Sequence, residues 1–448
     1  MIKHSKKLDM NQTGRLGIAF LLLAVVVLAG CQGQSILDAV FPEQNEALGI
    51  SESSQESEKA VIEESQPTSI PPEFTDLNIW LPQQFDIAGE TDAALLLRNR
   101  FQEFSENNPE INLNVRTKPA TGPGSIIETL TTASAVAPDT VPSLILISRQ
   151  DLVQAASKNL LVPIAGLSDS LDEKDWFDVA RALGIYDGTI YCVPFAANAL
   201  GLVYKQPGFI DDQPTWTDVI RQSDKLLFSS GDPEALTSIA LYLSAGGVLA
   251  RKSGGPVLDS SALITVLSAY NSAAKNERIS GSVLDYQTDD QVWDAFISSG
   301  LGSVLTWTNH ALTEPETYKL AMLPSLGTEP FTLAGGWLWC MTDLNERDRI
   351  QTLALAEYLS APDFLALWAP VSGYLPVRPS TIQGFEGPSL QNTILKILVS
   401  AQVRPDRPQI SEIGAEIKRA ISEVLLQQNS PDESAQNIIN RLEAMNSQ

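Results

Sequence analysis

Between residues 76 and 195, short apolar runs alternate with longer amphipathic segments. The strand candidates are residues 77–81, 111–115 and 143–147, of which the third is continuously apolar, as a buried parallel strand requires. Apolar residues recur at helical spacing at about 93–107, 126–135, 149–158 and 172–182. This order of strands and helices predicts an α/β lobe with a mostly parallel sheet.

A second block begins after a strand predicted at residues 201–204 and is richer in helical patterns. Its helix candidates are residues 215–228, 234–245, 260–275 and 288–299, and its further strand candidates are residues 302–307 and 318–323. Near the end of the chain, five branched residues form one apolar stripe: Ile410, Ile413, Ile417, Ile421 and Val424. Residues 430–433 then have the form of a capping box, with Pro431 at the first helical position.

The first thirty residues have the pattern of a targeting segment. A basic stretch that includes Lys3 and Arg15 precedes an apolar run from Leu16 to Ala29, which is shorter than the about 20 residues that a membrane-spanning helix needs. The run ends in Leu-Ala-Gly before Cys31, which resembles the lipobox of bacterial lipoproteins. We therefore expect residues 1–30 to be a signal peptide and Cys31 to be lipidated. The alternative is a simple membrane anchor with an incidental cysteine.

Residues 31–75 are rich in Ser, Glu and Gln and close with two prolines. A segment with few apolar residues and excess negative charge does not gain enough from burial to offset the entropy of ordering. We expect a disordered acidic tether between the membrane and the folded part of the chain.

Length and charge exclude several functional classes. A chain of 448 residues is too long for one ordinary core, so two domains or two lobes are expected. The net charge of −24 argues against nucleic-acid binding and disfavours a strongly anionic ligand. Only two histidines occur, His4 and His310, so we expect no histidine-based metal site, and no cofactor motif is present.

Several segments, taken together and in order, resemble one protein family. They are GTIYCVPFA at residues 188–196, LGLVYK at 200–205, PTWTDV at 214–219, AGGW at 334–337 and SGYLPVR at 372–378. In this order they are similar to the motifs of the family 1 extracellular solute-binding proteins of ABC transporters, the maltose-binding group. The resemblance covers about residues 76–448. One departure is Cys192, which stands where the family usually has glycine.

The resemblance implies a two-lobed α/β fold of the periplasmic-binding-protein type (type II), with a ligand cleft between lobes joined by crossing strands. The first lobe would comprise residues 76–195 plus 335–380, and the second 196–334 plus 381–448. The implied function is that of a lipid-anchored, extracytoplasmic substrate-binding protein of an ABC importer. It would be a monomer that captures a neutral carbohydrate by lobe closure, delivers it to the permease and performs no covalent chemistry.

Sugars present flat C–H faces and many hydroxyls, so aromatic rings and polar side chains together suit them. Aromatic and polar residues at predicted strand ends, beside glycines or on the Gly-Tyr-Leu-Pro turn are therefore the ligand candidates. They are Trp80, Asn198, Trp307, Asn309, Trp337, Tyr374 and Arg378. The alternative for the aromatic members is burial in the core, which we favour for Trp339 and Trp368.

The implied crossing strands bring Cys192 and Cys340 to the same side of the hinge. An exported protein can oxidise such a pair to a disulfide, although two buried thiols are the commoner state. Both alternatives stay open on the sequence.

Other functions compete with solute binding. A lipid-anchored hydrolase would have to use His310, and no Gly-x-Ser-x-Gly motif is present. A glycoside hydrolase stays possible because the many carboxylates always offer a pair. A binder of a non-sugar solute, and a receptor that feeds a sensor kinase, would both use the same closing cleft.

Overall fold

The computed structural model describes residues 74–205, 211–222, 225–252, 255–300, 302–342 and 346–446. The predicted signal peptide, the lipidated Cys31 and the acidic tether up to residue 73 lie outside the described residues. The remainder forms one compact unit.

The strands are given by their bounds. They are β1 (Thr75–Pro82), β2 (Ile111–Lys118), β3 (Leu144–Ser148), β4 (Ile185–Tyr186), β5 (Thr189–Ile190), β6 (Cys192–Tyr204), β7 (Leu226–Leu227), β8 (Ala250–Lys252), β9 (Gly255–Val257), β10 (Ser303–Trp307), β11 (Lys319–Met322), β12 (Thr332–Met341) and β13 (Ala401–Val403).

The α-helices follow the same order. They are α1 (Asp92–Asn107), α2 (Ile126–Val136), α3 (Arg149–Ser157), α4 (Asp178–Leu183), α5 (Trp216–Gln222), α6 (Leu236–Ser244), α7 (Ser260–Lys275), α8 (Asp289–Ser299), α9 (Asn309–Leu312), α10 (Glu346–Leu359), α11 (Pro362–Ser372), α12 (Pro388–Ser400), α13 (Arg407–Leu425) and α14 (Pro431–Asn446).

Within the described residues, one mixed sheet of nine strands runs through the molecule. Its order is β2-β1-β3-β12-β6-β10-β7, with β11 on β6 and β13 on β12. The predicted parallel part is confirmed for β2, β1 and β3, which are mutually parallel. The long strands β12 and β6 are antiparallel neighbours, and they connect this part to the strands of the second block.

Most predicted elements are present, and three predictions need correction. The helix predicted at 215–228 is α5 over Trp216–Gln222 only, and Leu226–Leu227 form strand β7. Strand β6 begins nine residues before the predicted start at residue 201, because the whole run from Cys192 is buried. The helix predicted at about 172–182 forms only from Asp178, after a 3₁₀ turn at Ser170–Asp172. The predicted capping box is confirmed: the Ser430 hydroxyl accepts from the Glu433 backbone N–H, and the Glu433 carboxylate accepts from the Ser430 backbone N–H.

Strand β12 links three hydrophobic clusters, because its side chains alternate between the two faces of the sheet. On one face, Leu333 belongs to the cluster of the second block, while Trp339 and Met341 belong to the main cluster of the first block. On the other face, Leu338 and Cys340 belong to a third cluster. The first face therefore passes from one core to another, with Gly335 and the half-buried Trp337 between Leu333 and Trp339.

The sequence did not decide whether Cys192 and Cys340 form a disulfide, and in the structure they do. The two cysteines are directly opposite in the β6–β12 pairing, with Cα atoms 4.4 Å apart, so the strand register brings them together. The bond fixes the two crossing strands to each other at the end that lies in the first block.

Among the helices of the described residues, none is both long enough and apolar enough to cross a bilayer. Helix α12 packs against β11 and also against the 3₁₀ turn at Pro379–Gly384. Since it contacts both blocks, the predicted lobe boundary at 380/381 stays a prediction.

Candidate functional site

A cavity of about 840 Å³ lies over the middle of β12, on the face that passes between the two cores. This volume lies in the upper part of the range of about 300–1,000 Å³ that is typical of small-molecule sites. Its floor comes from β6 and β12, one wall from the loop after β2 and the start of α3, and the other from Trp307 and the start of α13. The main lining residues are Gln84, Ser148, Arg149, Gln150, Asp151, Asn198, Trp307, Gly335, Trp337, Arg404, Arg407 and Ser411.

The floor depends on the absence of a side chain at Gly335. A Cβ atom there would lie 3.8 Å from Cδ of Arg404 and 3.9 Å from Cη2 of Trp307, which is ordinary contact. A larger side chain would have to occupy the space between these two residues. Glycine at this position therefore keeps the floor open beside the second wall, to which both residues belong.

Trp307 ends β10 and forms part of the second wall. Its backbone N–H donates to Oδ2 of Asp289 at 3.3 Å, and the same oxygen accepts from the Thr306 hydroxyl at 2.7 Å and contacts Nε2 of His310 at 2.8 Å. The ring is only partly buried and also borders a side chamber of about 330 Å³. The Asp289 carboxylate thus fixes the backbone that carries the exposed indole.

Asn198 lies on the floor, where β6 crosses between the blocks. Its Oδ1 accepts from the Thr308 hydroxyl at 2.7 Å and from the Asn309 backbone N–H at 3.2 Å, while its Nδ2 donates to Oδ1 of Asn309 at 2.7 Å. Asn309 itself is not among the lining residues. The structure brings these two candidates together, and their amides bind each other and tie the crossing strand to the turn after Trp307.

Trp337 lies on the floor at the end of a column of aromatic rings. Its ring centroid is 5.2 Å from that of Phe85, and the Phe85 ring is stacked on Tyr374 at 5.4 Å. Burial raises the pKa of Tyr374 to about 12, against the opposing effect of a hydrogen bond with Trp337. Tyr374 borders a separate small cavity, so Trp337 is the member of this column that reaches the main one.

The first wall is the beginning of α3, immediately after the buried strand β3. Ser148 caps the helix and pairs with Trp337 across the sheet, so this turn lies beside the floor. Burial lowers the pKa of Arg149, partly offset by Asp406, and burial raises the pKa of Asp151, partly offset by its hydrogen bonds with Ser148.

The second wall carries two arginines that share one carboxylate. Both oxygens of the Glu234 carboxylate are engaged, one by the Arg404 guanidinium and the other by Nε of Arg407 at 2.6 Å. Burial lowers the pKa of Arg404, and the attraction of Glu234 opposes this. With Asp406, which precedes the helix of this wall, the two arginines and the two carboxylates balance in charge.

Trp80 does not line the cavity. It is only 5% exposed and packs in the cluster on the opposite face of the sheet from Trp339, with the Lys118 ammonium 4.3 Å from its ring centroid. The prediction placed it at the end of the first strand, but β1 continues to Pro82. The residue that reaches the cavity from beyond this strand is Gln84.

Arg378 is also remote from the cavity. It is 4% exposed, its guanidinium lies 3.7 Å from the Trp176 ring centroid, and it binds the Glu173 carboxylate at 2.9 Å and the Ser360 carbonyl at 2.9 Å. The contacts with Trp176 and Glu173 fix the turn before Pro379 to the loop before α4, and the contact with Ser360 fixes it to the connection between α10 and α11. The structure thus gives this candidate a packing role. Trp339 and Trp368, predicted to be core, are each 1% exposed.

The sequence reasoning missed the first turn of α3 and the two arginines before and in α13. The rule that ligands lie beyond the carboxyl ends of parallel strands would have indicated residues 148–151, because they follow the most apolar predicted strand. Arg404 and Arg407 had no comparable signal, because only the fold brings them to this cavity. Within the described residues, no cluster of three His, Cys, Asp or Glu side chains suits a metal ion.

The sequence model of one family, bacterial extracellular solute-binding protein, matches residues 99–393. This range is more than half of the chain. The chain belongs to the bacterial extracellular solute-binding protein family. Proteins of this family act outside the cytoplasm, so the location of this member is extracytoplasmic.

Solved structures of solute-binding proteins share the fold. The sugar-binding protein MalE of Xanthomonas citri is 19% identical, with a TM-score of 0.65 over 83% of this chain and 98% of that one. A cyclic alpha-maltosyl-1,6-maltose binding protein of Arthrobacter globiformis is 18% identical, with a TM-score of 0.64 over 83% and 99%. UgpB of Mycobacterium tuberculosis, solved with glycerophosphocholine, is 16% identical, with a TM-score of 0.60 over 83% and 98%. The predicted two-lobed α/β fold is confirmed.

Proposed function

We propose that this solute-binding protein captures a neutral carbohydrate in the cavity between its lobes and delivers it to an ABC importer. The observation that carries the proposal is the pairing of two partly exposed indoles, Trp307 and Trp337, with a polar wall. Indole faces suit the C–H faces of sugar rings, and the wall offers donors and acceptors for hydroxyls. The solved structures with this fold include one with bound maltose and one named as a cyclo/maltodextrin-binding protein, which supports the substrate class.

The charges of the cavity favour an uncharged ligand. The three arginines Arg149, Arg404 and Arg407 are matched in number by the three carboxylates Glu234, Asp406 and Asp151, and Arg149 lies 3.4 Å from Asp406. Asp151 is the one carboxylate residue among the described lining residues of the main cavity. A glycoside hydrolase needs two carboxyl groups that flank the bond to be cleaved, so this arrangement disfavours that alternative.

The wider assignment follows the sequence. We propose that Cys31 is lipidated, that residues 31–75 tether the folded part to the membrane, and that the protein works as a monomer with permease subunits. The first lobe would be residues 76–195 plus 335–380, and the second 196–334 plus 381–448. A second candidate ligand is a polyol phosphodiester, because UgpB was solved with glycerophosphocholine.

The test is a titration of the purified protein with maltose, maltotetraose, a cyclic tetrasaccharide and tagatose. Glycerophosphocholine, amino acids, polyamines and phosphate serve as the comparison set. Tryptophan fluorescence and melting temperature report binding, since a ligand of the native state stabilises it by about 2.7 kcal/mol at 100 times Kd. Saturable binding of an intact saccharide supports the proposal. Binding by non-sugars alone would replace the carbohydrate, and recovery of cleaved sugar would indicate a hydrolase.

A further inference from the structure

Two helix N-termini meet across the cavity. Arg149 begins α3 on the first wall, and Asp406 immediately precedes α13 on the second wall. Nη2 of Arg149 lies 3.4 Å from Oδ1 of Asp406, and the Arg407 backbone N–H donates to Oε1 of Gln150 at 3.3 Å. These contacts join an element packed in the first block to an element packed in the second.

The Arg149 guanidinium is incompletely satisfied in this arrangement. The residue is 7% exposed, and its Nε and Nη1 are buried without a hydrogen-bond acceptor among the described residues. Oδ1 of Asp406 is likewise buried and lies at ion-pair distance without a hydrogen bond. Buried donors that lack acceptors disfavour the conformation that buries them, whereas hydration or a new acceptor removes the penalty.

The two helix ends add to this effect. Each helix N-terminus carries a partial positive charge, so two of them facing each other repel unless negative charge lies between. Asp406 and Asp151 supply that charge, one on each side. Apposition of the walls is therefore supported by the ion pair and by the hydrogen bond between Arg407 and Gln150, and it is opposed by the unsatisfied guanidinium donors.

We propose that Arg149 is a specificity-determining residue that binds an oxygen of the saccharide and, through Asp406, couples occupation of the cavity to closure of the lobes. The ion pair brings the walls together, and a hydroxyl or ring oxygen of the sugar supplies the acceptor that the guanidinium lacks. Closure is then stabilised more when the cavity is filled than when it is empty. The saccharide contact rests on the proposed function, and the ion pair between the walls does not.

The ligand-free test measures the distance between spin labels at Val136→Cys on α2 and Leu426→Cys after α13, in the full chain with Cys31→Ser. Both positions are exposed, and the other two cysteines form the disulfide. We expect the distance to lengthen when NaCl is raised from about 0.05 M to about 1 M, because salt stabilises the separated, solvent-exposed charges of the open form, whereas the buried pair of the closed form is little screened. Asp406→Asn should be longer at low salt and insensitive to salt. A wild-type distance that ignores salt and matches Asp406→Asn would overturn the ion-pair step.

The saccharide test compares Arg149→Lys with wild type by calorimetry with maltotetraose and maltose. Lysine keeps the charge but cannot place the guanidinium donors, so affinity should fall about tenfold or more while the salt response is retained. Arg221→Lys, in an exposed pair with Asp218 inside α5, is the matched control and should bind as wild type. Wild-type affinity in Arg149→Lys would overturn the sugar contact. Failure of every saccharide to bind would instead overturn the proposed function, and the salt response would still decide the ion pair.

Discussion

The two faces of β12 serve different purposes. On the face that carries Gly335 and Trp337, the side-chain layer is interrupted by the cavity, and a Cβ at Gly335 meets no atom closer than 3.8 Å. On the other face, a Cβ at Gly336 would lie 2.5 Å from the Ala196 carbonyl oxygen and 2.8 Å from Cδ1 of Leu183. The disulfide of Cys340 is on that second face. One strand thus leaves room for a side chain at Gly335 and none at Gly336, although both glycines border the cavity.

Loss of the disulfide should produce the largest change in stability. In the double variant Cys192→Ala/Cys340→Ala, the unfolded chain gains the freedom of a loop of 148 residues, and the free energy of unfolding should fall by about 2–4 kcal/mol. Urea unfolding measures the change. Saccharide affinity should stay within about twofold, since neither cysteine lines the cavity. Equal stability of the two proteins would contradict a structural role for the crossing.

Alanine substitutions at the two adjacent glycines compare the packing of the two faces of β12 directly. Gly336→Ala places a methyl group against the Ala196 carbonyl and should lower the free energy of unfolding by about 1–3 kcal/mol, as overpacking does. Gly335→Ala meets only ordinary contacts and should stay within about 0.5 kcal/mol of wild type. Chemical unfolding of both variants is the measurement, and the reverse order would show that the faces are wrongly assigned.

A larger residue at the open floor should affect binding more than folding. Gly335→Val puts methyl groups between Arg404 and the Trp307 ring, so affinity for a saccharide should fall about tenfold. Isothermal titration with the tightest sugar of the panel measures this loss. Arg378→Lys, which alters a buried residue outside the cavity, should instead lower the melting temperature and leave affinity unchanged. Weaker binding in Arg378→Lys alone would favour the original prediction for that residue.

The smallest expected effect concerns Asp151. Burial raises the pKa of its carboxyl in the folded protein, so the folded state holds this proton more tightly than the unfolded state. Its contribution to stability is then present below the unfolded pKa of about 3.9 and is lost as pH rises through the folded pKa. Asp151→Asn should therefore stabilise the protein more at pH 7 than at low pH, as melting curves across pH would show. An equal effect at both pH values would contradict this.

Periodicity was sufficient for most of the fold. The parallel strands β1, β2 and β3 and helices α1, α7 and α8 follow from local apolar spacing, which is why their predicted and observed bounds nearly agree. The start of strand β6 was not predicted because its first residues, from Cys192 to Ala197, are buried on both faces and show no alternation.

The site was less predictable than the fold. It depends on which face of the sheet each side chain occupies and on contacts between residues that are far apart in the sequence. Trp80 and Trp307 both lie near strand ends in the sequence, yet only the tertiary structure decides that one faces a core and the other the cavity. Arg378 looked available because a turn surrounds it, but Trp176 and Glu173, far away in the sequence, cover it. Side chains that meet across the cavity, such as Arg149 and Asp406, leave no local pattern.

The central claim is that a saccharide lies between Gly335 and the two indoles. Fluorine NMR of protein labelled with 5-fluorotryptophan tests it directly, because the chain has eight tryptophans in distinct surroundings. Titration with the saccharide that binds should shift the resonances of Trp307 and Trp337 most and those of the buried Trp339 and Trp368 least. Largest shifts at the buried tryptophans or at Trp80, with Trp307 and Trp337 unmoved, would contradict the account.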